Sequence, residues 1–62
     1  MKITKKKVNR YDYAIYADGI EIGTVSNQLD YWEALANNDE FLKVKTLKEG
    51  ISFIILNTVS IS

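Results

Sequence analysis

The sequence predicts an α+β fold in the order ββαββ, an antiparallel sheet with one short amphipathic helix packed on one face. Three observations carry this. Asp18-Gly19 separates two β-prone runs, which marks a two-residue hairpin. Leu29, Trp32, Leu35 and Ala36 recur at spacings of three and four, which marks a helical stripe. Residues 51–61 form an uncharged run dominated by β-branched and aromatic side chains, which marks a strand.

Taken in order, residues 1–7 hold Ile3 ahead of the run Lys5-Lys6-Lys7 and are expected to be a mobile end or an edge strand, since like charges in sequence repel. Strands follow at 8–17 and 20–26. A two-residue Asp-Gly loop needs positive φ at both positions and sets Ala17 against Ile20, Ile15 against Ile22 and Tyr13 against Thr24. Gly23 lies inside the second of these strands, where glycine marks a bulge or a close approach by another segment.

The helix is expected over 28–38. It is capped either by Ser26 or Asn27, or by Asp30 with Glu33 three residues on, and the Asn37-Asn38-Asp39 run stops it. A third strand covers 41–47 and Lys48-Glu49-Gly50 turns the chain into the fourth, 51–61. A two-residue loop would pair Val44 with Ile55 and a three-residue loop Val44 with Ile54. This last strand offers Ile51, Phe53, Ile55, Val59 and Ile61 to one face and Ile54 and Leu56 to the other, so it needs cover on both sides.

The 62 residues suit one small domain, which buries only about 60% of its unfolded surface. The chain has no Cys and no His, which removes disulfides, thiolate and imidazole metal sites, Cys nucleophiles and His bases. Pairing with a second copy is the remaining common remedy for a thin core. The N-terminal lysines are followed by no apolar signal core, and the apolar run is too short for a membrane helix, so the expectation is a cytoplasmic protein without membrane association.

Eight cationic and eight anionic side chains cancel, but they are segregated. Lys2, Lys5, Lys6, Lys7 and Arg10 lead the chain; Asp12, Asp18, Glu21, Asp30, Glu33, Asp39 and Glu40 fill its middle; Lys43, Lys45 and Lys48 with Glu49 follow. The acidic group Asp12, Glu21, Asp30, Glu33, Asp39 and Glu40 is a candidate patch for docking on a basic protein surface. Lys5, Lys6, Lys7 and Arg10, close to Tyr11, Tyr13 and Tyr16, are the candidates for an alternative role in nucleic-acid binding. No catalytic constellation, calcium-loop spacing or phosphate loop is present in the pattern, so no enzyme activity, cofactor or metal is expected. The apolar candidates Ile51, Phe53, Ile55, Val59 and Ile61 are expected to form the interface of a homodimer.

Phe41, Val44 and Leu47, then Lys48-Glu49-Gly50, then Ile51, Phe53, Ile55, Asn57, Val59 and Ile61 resemble a pattern in short phage and prophage proteins of Gram-positive bacteria. It covers about a third of the chain. The resemblance implies a small protein that acts by binding a host factor; it assigns no functional residue. The sequence therefore predicts a non-enzymatic, homodimeric protein-binding module, with a small nucleic-acid-binding protein as the alternative.

Overall fold

The computed structural model describes residues 2–61, and the side chains of residues 2–58. Five strands come first: β1 (Ile3–Lys7), β2 (Asp12–Ala17), β3 (Ile20–Asn27), β4 (Trp32–Ala36) and β5 (Phe41–Val44). A single helix, α1 (Leu47–Ile61), follows. The strands pair in chain order, all antiparallel. The turns explain this meander, because an Asn or Asp shapes each of them. Asn9 Oδ1 accepts from the N–H groups of Tyr11 and Asp12 at 2.9 and 3.0 Å. Asp18 and Gly19 take φ of 52° and 84°, both positive as the two-residue hairpin demands. Asn27 Oδ1 accepts from Leu29 N–H at 2.9 Å, and Asn38 Oδ1 from Glu40 N–H at 3.2 Å.

One bulge interrupts the ladder. Ala17 faces Ile20 and Tyr16 faces Glu21, but Ile15 faces Gly23, so Ile22 is the additional residue. Tyr13 consequently faces Val25. The expected partners Ile22 and Thr24 are each displaced by one position, and the glycine signal at Gly23 has its bulge beside it. Gly23 also carries a close approach. A Cβ there would meet the Leu35 carbonyl oxygen at 2.6 Å and two Ile54 methyl carbons at 3.0 Å.

Thr46 caps the N-terminus of the helix. Thr46 Oγ1 accepts from Glu49 N–H at 3.1 Å and donates to the Glu49 carboxylate at 3.3 Å. Its axis lies across β3, β4 and β5. Gly50 sits directly on the sheet, where a Cβ would meet Val25 methyls at 2.9 and 3.3 Å and the Ala34 methyl at 3.5 Å. One turn further, Ile54 rests on Gly23. Two glycines and Ala34 thus let the helix approach closely, and Ile15, Val25, Ala34 and Ile54 are fully enclosed between the two layers. Trp32 and Tyr13 extend this core towards one end, their rings 6.2 Å apart and tilted by 48°.

The α+β class agrees with the sequence reading; the element order does not, being βββββα rather than ββαββ. The segment expected to be the helix, 28–38, is a turn followed by β4. There Trp32, Ala34 and Ala36 face α1 at the two-residue period of a strand, while Leu29 sits in the turn at φ 77°. The segment expected to be the fourth strand, 51–61, is most of α1. β-branched content disfavours a helix by only tenths of a kcal/mol per residue, and a flat apolar sheet face outweighs that. The third strand ends at Val44 rather than 47, since Thr46 already caps the helix. The strand expected over 8–17 starts at Asp12, because 8–11 make the turn from the edge strand β1.

Candidate interaction edges

A five-stranded meander has two free edges, and each borders a groove beside the helix. At the β5 edge, Ala36 N–H donates to Glu40 O at 2.9 Å, in the same register that pairs Ala34 with Leu42 and Trp32 with Val44. Bonded and non-bonded pairs alternate along an antiparallel ladder, so Glu40, Leu42 and Val44 turn their backbone groups to β4. Phe41 and Lys43 therefore turn theirs outward. Phe41 lies on the open face of the sheet and is 58% exposed; Leu42 lies on the helix face and is 47% exposed. Between this edge and the helix runs an apolar groove of about 390 Å³, lined by Leu42, Val44, Phe53 and Leu56 with the stems of Lys48 and Glu49 at its rim. Leu56 projects over it and is 69% exposed.

At the β1 edge, Ile3, Lys5 and Lys7 share the helix face and Thr4 and Lys6 the other, as their partners Ala17, Ile15, Tyr13, Tyr16 and Ala14 require. A groove of about 600 Å³ separates this edge from the helix, lined by Ile3, Lys5, Leu47, Lys48, Ile51 and Ile55.

Among the described residues, no element covers the face of the sheet away from α1. One row across it reads Lys6, Ala14, Thr24, Leu35, Phe41; the neighbouring row reads Asp12, Ser26, Glu33, Lys43. Leu35 and Phe41 are direct cross-strand partners, and Lys43 Nζ stands 5.0 Å from the centre of the Tyr31 ring.

The sequence candidates are distributed unevenly over these surfaces. Among the proposed interface residues, Ile51, Phe53 and Ile55 are helical and partly buried, the first two against the core. Val59 and Ile61 lie on α1, with side chains outside the described residues. The segment is a helix rather than a strand, and among these candidates with described side chains Phe53, Ile51 and Ile55 border the grooves. The acidic candidates are not gathered into one patch. Asp12, Glu21 and Glu33 stand on the open face, Asp30 in the β3–β4 turn at one end, and Asp39 and Glu40 in the β4–β5 turn at the other. The basic run is also divided: Lys5 and Lys7 on one face, Lys6 on the opposite one, Arg10 in the β1–β2 turn. Among the described residues no three Asp or Glu side chains come together as a metal site. No described helix is long and apolar enough to cross a membrane.

Leu35, Phe41, Leu42 and Leu56, the exposed apolar residues of these surfaces, were not among the sequence candidates. For Phe41 and Leu42 a signal was available: two consecutive large apolar residues in a strand place one on each face.

One acidic candidate has a structural duty. The Ser26 hydroxyl and then the Asn9 amide, at 2.8 Å, donate to the Asp12 carboxylate and hold its pKa below the ordinary value of 3.8, against a small opposing effect of burial. A depressed folded pKa means that the ionised group favours the fold. That contribution is complete above the unfolded value and disappears as pH falls through the folded one. Thermal melts followed into acid should therefore show a steeper loss for the parent than for Asp12→Asn. Identical acid limbs would show that Asp12 is not the responsible group.

Compared with known proteins, the chain matches no protein-family profile, and no curated protein or solved structure matches it significantly.

Proposed function

We propose that the chain is a non-enzymatic protein-interaction module that pairs with a second copy of itself along the free edge of β5. The observation that carries this is the charge polarity of that edge. β5 is preceded by Asp39 and Glu40, opens on exposed Phe41 and Leu42, and carries Lys43 near its end, with Lys45 just beyond it. Antiparallel self-pairing sets the acidic start of one copy against the basic end of the other, whereas parallel pairing would oppose like charges.

The backbone supports one register. Phe41 and Lys43 are the outward-facing residues, so pairing centred on Leu42 joins Phe41 of each copy to Lys43 of the other through four hydrogen bonds. Centring on Lys43 would set two ammonium groups opposite each other. In the Leu42-centred arrangement both helices lie on the same side of the continuous sheet. The Leu42 and Leu56 side chains of the two copies then fill the grooves beside the seam. Apolar surface on both sides of an unpaired edge is otherwise an aggregation hazard.

The scattered carboxylates and the absence of His and Cys support a binding role over a catalytic one. In keeping with the phage-type resemblance, the module would act on a protein of a bacterial host, in the cytoplasm.

The test is molar mass in solution, by light scattering on a sizing column at low and high protein concentration. The parent should approach twice the 7.1 kDa chain mass at high concentration. Leu42→Lys, at an exposed position, should stay at the single-chain mass with unchanged circular dichroism. A parent that remains monomeric at the highest concentration rejects the dimer.

A further inference from the structure

We infer that the free edge of β1 receives an extended, acidic segment of a partner protein as an additional strand. This rests on the reading of the chain as a protein-binding module, but not on pairing through β5.

The direction of the β1 backbone groups is fixed at both ends. Asp18 N–H donates to Lys2 O at 2.8 Å, and Val8 N–H donates to Asp12 O at 3.0 Å, both in the register of the β1–β2 ladder. Lys2, Thr4, Lys6 and Val8 therefore bond β2, and Ile3, Lys5 and Lys7 turn N–H and C=O outward. The side chains of the same three residues lie on the helix face. Ile3 and Lys5 form one wall of the 600 Å³ groove, opposite Leu47, Ile51 and Ile55, with Lys48 at the rim. An incoming strand meets a backbone template, two cations at alternate positions and then an apolar recess.

A second copy does not suit this edge. Any self-pairing near its centre sets members of the Lys5-Lys6-Lys7 run against one another, and like charges across a ladder oppose pairing. Nucleic acid suits it less well than a peptide. Its phosphates need cations gathered on one surface, whereas Lys5 and Lys7 project to one face and Lys6 to the other. An extended peptide presents its own side chains to both faces alternately, which is the pattern the lysines match. In antiparallel alignment, the residues opposite Lys7, Lys5 and Ile3 read acidic, any, acidic, any, apolar along the partner.

The probe is a fluorescein-labelled peptide, Thr-Glu-Thr-Glu-Thr-Ile-Thr with blocked ends, followed by fluorescence anisotropy with the full chain. The parent should bind it. Lys5→Glu should weaken binding roughly tenfold, and a peptide with Lys in place of its second Glu should recover binding to that variant. N-methylation of both Glu residues and the Ile, which removes the donors facing β1, should abolish binding. A single-stranded DNA of equal charge should not compete.

The inference is overturned if the methylated peptide binds as well as the parent peptide, or if the DNA binds more tightly. It is also overturned if the parent peptide fails to bind. Failure with a chain that still dimerises overturns this inference alone; failure with a chain that is monomeric at every concentration rejects the protein-binding reading as well.

Discussion

Gly50→Leu is expected to lower the melting temperature by about 10–20 °C, corresponding to roughly 2–3 kcal/mol in a domain of this size. A glycine inside a helix is normally a weakness, costing about 1 kcal/mol relative to alanine. Here the sheet lies where the side chain would be. Even a single Cβ would stand 2.9 Å from a methyl of Val25, which is fully enclosed and β-branched and so has few rotamers to retreat into. Leucine adds three further carbons against the same wall. The helix must lift, and lifting opens the contact between Ile54 and Gly23 one turn away. Gly50→Ala separates the two effects: it gains helix propensity and loses fit, so its melt should stay within a few degrees of the parent. Thermal circular dichroism of the three proteins decides. A leucine variant that melts like the parent would mean that α1 stands further from the sheet than described.

Ile54→Ala is expected to cost about 2–5 kcal/mol, the usual range for truncating a fully buried isoleucine. A domain of this size has total stability near the lower end of the ordinary 5–15 kcal/mol, so the variant should keep only a small part of it. The cavity cannot close by collapse from below, because the floor under Ile54 is Gly23, which has no side chain to move, held beside the Leu35 carbonyl. Chemical denaturation should shift the midpoint sharply while keeping the slope. Ile55→Ala, one residue along at a groove-lining and only partly buried position, should cost much less. Equal losses at the two positions would show that the helix is rotated relative to the description above.

The parts of this fold that were legible in the sequence are those decided by local backbone chemistry. Asp18-Gly19 demanded positive φ at both positions and received it. Gly23 signalled a bulge or a close approach, and both occur around it. What was misread depended on tertiary choice between two valid periods. Trp32, Leu35 and Ala36 fit a helical stripe, but Trp32, Ala34 and Ala36 fit a strand equally well, and the Asn-shaped turns at either end of β4 favour the second. In 51–61 the Ile, Phe and Val content pointed to a strand. The opposing signal was Thr46 with Glu49, a capping pair, followed by Leu47, Ile51, Ile54 and Ile55 at helical spacing. Reading Glu49-Gly50 as a turn hid it. The misreading placed Ile51, Phe53 and Ile55 on a strand, whereas they lie on α1. The exposed edge at Phe41 and Leu42 becomes visible only once β5 is known to be outermost.

The position of α1 after all five strands bears on how the chain comes off the ribosome. Each strand pairs with its neighbour in sequence, so the hairpins can form as soon as they emerge, with little loop entropy to overcome. Yet the apolar face bearing Ile15, Val25 and Ala34 has no cover until the segment through Ile54 has been made. Before the helix docks, the sheet is therefore a ribbon with one sticky side. The step that turns it into a cooperative unit is the docking of a helix whose glycine must find a two-residue target on the sheet.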